Sequence, residues 1–224
     1  MQIAIQNSRV RFSRLTWRAG AFAFSAFVVS SVIAQAPAAA PAPAAVSEAP
    51  LPYIDAAREL SGRKLLDALR AGGYNLYMRH AEQIPPKTDA CEPINLTSRG
   101  VEQARRVGAA IRELKIPIGE VRTSEPCRNV DTAKTLGLGE YKVRKELNPG
   151  LEYGAPRTNM LMEMPVAGTN TILVSHVHGS RNKDEWMHLE LGEVIVYQPN
   201  GKTPTAPVAR IRVEGWDELL RLAK

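Results

Sequence analysis

The chain has 224 residues, 44% of them hydrophobic and 23% charged, with a formal net charge of +6. That is the make-up of a soluble globular protein long enough for one substantial core. Four of the positive charges, Arg9, Arg11, Arg14 and Arg18, lie in the first 36 residues, where there is no Asp or Glu. Taking them from +6 leaves +2, which gives no basis for nucleic-acid binding.

The N-terminus has the three-part pattern of a secretory signal peptide. Residues 1–18 are basic, residues 19–34 are apolar or small and uncharged, and Ala34-Gln35-Ala36 supplies a small-x-small cleavage site. The apolar run falls short of the roughly 20 residues a membrane span needs. The expectation is therefore an exported, periplasmic protein with no stable membrane insertion after processing, an uncleaved anchor being the alternative. No Arg-Arg pair marks a twin-arginine signal, and no cysteine near the site marks a lipid anchor. Residues 37–52 are almost all Ala and Pro and form a semi-rigid linker. A folded domain is expected over residues 53–224. The chain has two cysteines, Cys91 and Cys127, and export permits one disulfide between them, with two buried thiols as the alternative.

Within the domain the elements alternate. Ser61 to Leu69 carries leucines at 65, 66 and 69 and predicts a helix ending at Gly72-Gly73. Residues 74–78 form a short apolar run that predicts a buried strand, and it leads directly into Arg79 and His80. Residues 81–96 make a long loop with Pro85, Pro86 and Pro93. Thr97 is placed to cap a helix whose stripe runs through Val101, Ala104, Val107, Ala110, Ile111 and Leu114, up to Pro117. Gly119 to Thr123 predicts a second strand, and Pro126 suits the first turn of a helix running to Gly137. Arg128 then sits at that helix start, where the macrodipole opposes a cation, so an anion is a natural partner for it. Residues 139–158 look irregular, with a short helix over Asn159–Met164. Thr171 to Ser175 is a clear strand ending in His176. Gly192–Gln198 and Pro207–Val213 predict an antiparallel pair, and Trp216–Leu222 a closing helix.

Strands alternating with helices imply a largely parallel sheet, whose strand ends line one edge. Arg79, His80, Arg128 and His176 would converge there. Guanidinium groups suit phosphate through bidentate, charge-assisted bonds, and a neutral imidazole is a nucleophile. Phosphoryl transfer needs mainly positioning and charge stabilisation, and this set supplies both without a metal.

Arg79-His80-Ala81, then Leu96-Thr97-x-x-Gly100-x-x-Gln103-Ala104, then Thr123-Ser124-x-Pro126-Cys127-Arg128-x-x-x-Thr132-Ala133, then Val174-Ser175-His176, together resemble the histidine phosphatase superfamily, the phosphoglycerate-mutase-like proteins. Leu191-Gly192-Glu193-Val194 resembles the family's penultimate strand, and the resemblance covers roughly residues 70–200. It implies an α/β fold, a three-layer α/β/α sandwich with a mostly parallel central sheet. It further implies a phosphomonoester hydrolase that uses a phosphohistidine intermediate on His80 and no cofactor. In it Arg79, Arg128 and His176 hold the phosphoryl oxygens of a phosphorylated small molecule or sugar phosphate. The family's proton donor, a loop glutamate, corresponds first to Glu152, then to Glu146, with Glu82 beside the nucleophile also possible. Ala81 replaces the family's usual glycine. His178 is an added substrate-contact candidate, and since His176-x-His178 lacks a third ligand, no metal site is expected. Among exported relatives, phosphatases acting on lipopolysaccharide sugar phosphates are the nearest analogy. The alternative is a non-catalytic envelope protein that binds a phosphorylated ligand in the same pocket.

Overall fold

The computed structural model describes residues 58–85, 94–176, 189–202 and 207–224. The expected signal peptide and linker, Cys91, His178 and His188 lie outside the described residues. Among the described residues no helix is long and apolar enough to cross a membrane.

The elements follow the chain as α1 (Gly62–Ala71), β1 (Asn75–Arg79), α2 (Ser98–Glu113), β2 (Ile118–Thr123), α3 (Cys127–Leu136), β3 (Tyr141–Val143), α4 (Gly154–Met162), β4 (Asn170–Ser175), β5 (Val194–Tyr197), β6 (Pro207–Ile211) and α5 (Gly215–Ala223). Single 3-10 turns at Lys145–Leu147 and Leu151–Tyr153 join β3 to α4. The six strands form one sheet in the order β3-β2-β4-β1-β5-β6. The first four in that order run parallel, and β5 and β6 run antiparallel to their neighbours.

Strand alternation decides the layers, because successive side chains point to opposite faces. Leu76, Met78, Ile172, Val174, Val194 and Val196 share a core with Leu66 and Leu69 of α1, Ile111 of α2, Leu136 of α3 and Trp216 of α5. Tyr77, Leu173, Ile195 and Tyr197 face the other way, against Met160 and Leu161 of α4. The result is a three-layer α/β/α sandwich with four helices on one face and α4 on the other.

Local sequence explains most boundaries. Thr97 caps α2 as expected, its hydroxyl accepting from the Gly100 N–H at 3.0 Å. Gly137 ends α3 in the left-handed conformation at φ 62°. Other boundaries differ from expectation. The helix α2 ends at Glu113, where Lys115 turns left-handed at φ 55°, before Pro117 is reached. Pro126 precedes the first turn of α3 instead of lying in it. The stretch expected to be irregular contains β3, an edge strand beside β2. It also contains the start of α4 at Gly154, since Pro156 falls in the first helical turn, where no backbone N–H is needed.

Two glycines let backbones meet. A Cβ on Gly100 would lie 2.0 Å from the Glu82 carbonyl oxygen, and one on Gly108 would lie 1.9 Å from that of Leu136. The first contact seats the start of α2 against the loop leaving His80, and the second packs α2 on the end of α3.

Candidate active site

The parallel register sets the site. Arg79 pairs with Ser175 across β1 and β4, and Thr123 pairs with Val174 across β2 and β4. The residues that follow, His80, Ser124 and His176, therefore emerge at one level on the carboxyl edge, where open α/β sheets bind ligands. The ladder continues one step past the strands. His80 N–H donates to the Ser175 carbonyl at 3.0 Å, and Ser124 N–H donates to that of Val174 at 3.1 Å. The rings of His80 and His176 meet edge to face, with centroids 5.7 Å apart.

His80 is 6% exposed, and its Nδ1 lies 2.9 Å from the Ala81 carbonyl oxygen. A carbonyl only accepts, so Nδ1 carries the proton and, in the neutral ring, Nε2 keeps its lone pair. Burial drives the His80 pKa down to about 4; the Ala81 carbonyl opposes this, and the positive charges of Arg128 and Arg79 add to it. At neutral pH the ring is thus an unprotonated nucleophile with a fixed tautomer.

The tautomer of His176 follows in the same way. Its Nδ1 lies 3.2 Å from Arg128 Nη2, which can only donate, so the ring proton of the neutral form is on Nε2 and donates to Ser124 Oγ at 3.1 Å. Tyr77 hydroxyl donates to the His176 carbonyl at 3.3 Å. His176 thus has protein partners on both ring nitrogens and steadies Arg128.

The two arginines are held but not saturated. Arg79 Nη1 donates to the Leu189 carbonyl at 2.6 Å. The Nε–H groups of Arg79 and Arg128 are both buried, with no partner among the described residues. Burial works against both cations; the Glu193 carboxylate supports Arg79, and Arg79 in turn opposes Arg128. Glu193 is itself buried and accepts from Arg210 Nη2 at 2.6 Å and from the Glu190 N–H at 2.6 Å. Two guanidinium groups with unspent buried donors, next to an unprotonated imidazole, suit a tetrahedral oxyanion.

Helix α3 ties this edge together. Thr132 hydroxyl accepts from the Ala81 N–H at 3.1 Å and donates to the Arg128 carbonyl at 2.6 Å. Asn129 donates to the Ser175 carbonyl at 2.6 Å. Cys127, one residue before Arg128, is disulfide-bonded, and the other cysteine of the chain, Cys91, is outside the described residues.

Among the described residues, none of the candidate acids hydrogen-bonds to His80. Glu152 is exposed, with its carboxylate folded over Gly150. Glu146 is held below the usual carboxylate range by its own backbone N–H and by Arg144, which lies 3.3 Å away. Glu82 accepts from Thr97 hydroxyl at 2.8 Å and faces Arg99 at 3.7 Å. It borders a pocket of about 330 Å³ on the β5–β6 side of Arg79, which His80, Arg128 and His176 do not line. Among the described residues, no three His, Cys, Asp or Glu side chains group as metal ligands would. Ser124, Asn129 and Thr132 belong to this edge although the sequence alone does not single them out as site residues. Thr132 lies within the motif around Arg128, and that motif was the available signal for it.

The carboxyl edge of the sheet thus brings an unprotonated imidazole together with two arginines. No family model and no curated protein matches the chain. The solved structures similar to it in part include the following three. A Nakamurella multipartitia protein named as the phosphohistidine phosphatase SixA is 21% identical, with a TM-score of 0.42 over 55% of this chain and 83% of its own. The protein histidine phosphatase SixA complexed with tungstate is 17% identical, with a TM-score of 0.42 over 55% of this chain and 86% of its own. An Escherichia coli protein named as an alpha-ribazole-5'-P phosphatase is 18% identical, with a TM-score of 0.45 over 61% of this chain and 96% of its own.

Proposed function

We propose that the protein is a phosphomonoesterase of the histidine phosphatase superfamily, using a phosphohistidine intermediate and no metal. The observation that carries this reading is His80. Its Nδ1–H is tied to the Ala81 carbonyl, its basicity is suppressed to a pKa of about 4, and two arginines with unspent Nε–H donors flank it. In this scheme Arg79 and Arg128 hold the phosphoryl oxygens while Nε2 attacks phosphorus. The P–O bond to the leaving group breaks, and Glu152 delivers a proton to the departing oxygen. Water then attacks the phosphohistidine, releasing phosphate and restoring the neutral ring. The substrate class is a phosphorylated small molecule, and residues 1–36 support export to the periplasm.

The test is hydrolysis of p-nitrophenyl phosphate by the full chain, with and without a chelator, beside His80→Ala. Chelator-resistant turnover that disappears in the variant is expected. Turnover that survives in His80→Ala, or that needs added metal, sinks the scheme. One observation favours a non-catalytic binder instead: none of Glu82, Glu146 and Glu152 bonds to His80 among the described residues. Rapid mixing with p-nitrophenyl phosphate separates the two: phosphorylation of His80 frees p-nitrophenol ahead of phosphate, and a binder frees neither.

A further inference from the structure

Arg157 is a third guanidinium at this edge of the sheet, and the scheme above does not use it. It projects from α4 and is 5% exposed. Its Nη1 donates to the Asn148 carbonyl at 2.6 Å, and its Nε–H is buried with no partner among the described residues. No carboxylate among the described residues pairs with it. A buried cation left without a counter-charge is destabilising, so its retention calls for a reason.

Its surroundings place it beside the candidate site. The 147–148 turn that accepts its hydrogen bond is itself pinned to β4, because Ser175 hydroxyl donates to the Leu147 carbonyl at 2.6 Å. The same turn is tied to the residue after Ser124, since Glu125 N–H donates to Asn148 Oδ1 at 3.0 Å. Burial raises the pKa of the Tyr77 hydroxyl, which donates to the His176 carbonyl, and the positive charge of Arg157 opposes the rise. Arg157 thus stands on the α4 side of His176, while Arg79 and Arg128 neighbour His80.

We propose that Arg157 is a specificity-determining residue that binds a second anionic group of the substrate, so that the preferred substrates are phosphomonoesters carrying another oxyanion on the same small molecule. The proposal rests on the phosphatase reading above. Arg79 and Arg128 take the transferring phosphoryl group and leave their charge spent on it. A carboxylate or a second phosphoryl group then finds at Arg157 a desolvated guanidinium whose Nε–H has no partner among the described residues. The two oxyanions share this chemistry, and the choice of probe tells them apart.

The probes are alkyl phosphates of three to five carbons, compared with the same chains ending in a carboxylate or in a second phosphate. Binding to the full chain is read by titration calorimetry, which needs no turnover, and kcat and KM are read wherever turnover occurs. Wild type should bind one of the dianionic series at least about tenfold more tightly than the plain alkyl phosphates, the worth of a charged hydrogen bond. Arg157→Met keeps the buried stem and should erase that preference, through KM, with plain alkyl phosphate affinity unchanged within about twofold. Arg157→Lys should keep part of the preference and guards against a folding defect in the first variant. Equal affinity for all three series in wild type overturns the proposal. So does a preference that survives in Arg157→Met, or a loss of plain alkyl phosphate affinity that Arg157→Lys restores. A His80→Ala protein that still turns over, with the preference intact, would sink the reaction scheme and leave the subsite standing.

Discussion

Lowering the pH from 7.5 to 4 should weaken the fold through His80 in particular. The ring has a pKa of about 4 in the folded protein against an ordinary value of 6.5. The unfolded chain therefore takes up a proton at a pH where the folded one does not. Stability from the neutral ring is fully present above pH 6.5 and drains away as the pH falls toward 4. At about 1.4 kcal/mol per pH unit, the gap between 6.5 and 4 is worth about 3 kcal/mol. Other groups also titrate in this range, so the assay is a difference. Urea unfolding is followed at half-unit steps from pH 7.5 to 4 on wild type and on His80→Gln, which fills the space without titrating. Wild type should lose about 3 kcal/mol relative to the variant over that interval, with most of the change complete near pH 4. The midpoint of the His80 ring resonances in the folded protein should fall near 4 as well. A flat difference, or a ring midpoint near 6.5, would refute the argument, because the buried site would then accept charge as readily as water does.

Arg128→Met removes a positive neighbour, so the ring midpoint of His80 should move up from about 4; a midpoint that stays or falls would show that Arg128 does not bear on it. Thr132→Val takes the acceptor from the buried Ala81 N–H and should cost about 1–3 kcal/mol in urea unfolding, where a neutral result would mean that the bond carries no weight. Gly108→Ala places a methyl 1.9 Å from the Leu136 carbonyl. Overpacking of about 1–3 kcal/mol, and more where backbone must move, should exceed the gain of about 1 kcal/mol in helix propensity, so a stabilised variant would contradict the contact.

The fold was legible wherever local chemistry and period agreed. The leucines of α1, the Thr97 cap, the left-handed Gly137 and the five-residue run of β4 each announce their element. Less was legible where tertiary pairing supplies the stability. Tyr141-Lys142-Val143 is too short and too mixed to signal a strand, and it becomes one because β2 offers an open edge. Gly154-Ala155-Pro156 resembles a turn, yet it is the first turn of α4 because proline needs no donor there. The motif residues Arg79, His80, Arg128 and His176 could be found in the sequence, but the His80 tautomer rests on how the ring turns onto the adjacent Ala81 carbonyl, and that of His176 on the Arg128 guanidinium brought from elsewhere. Arg157 was invisible for the same reason. An arginine beside glycine and proline looks solvated until α4 is seen to pack it against the sheet.

The register between β1 and β4 has a further bearing on how this protein could change. His80 and His176 owe their separation to a main-chain ladder that runs one residue beyond the strands, not to the conformations of the loops that follow. On the proposed reading, the reacting centre and the surfaces that choose its substrate are therefore mechanically separate parts. On that reading, exchanges beyond Ala81, whose carbonyl holds the His80 ring, or between β3 and α4, can alter what is admitted without retuning the imidazole. Variation in such a chain is cheapest in the segments that select, and it is tightly constrained in the few hydrogen bonds that hold the two rings side by side.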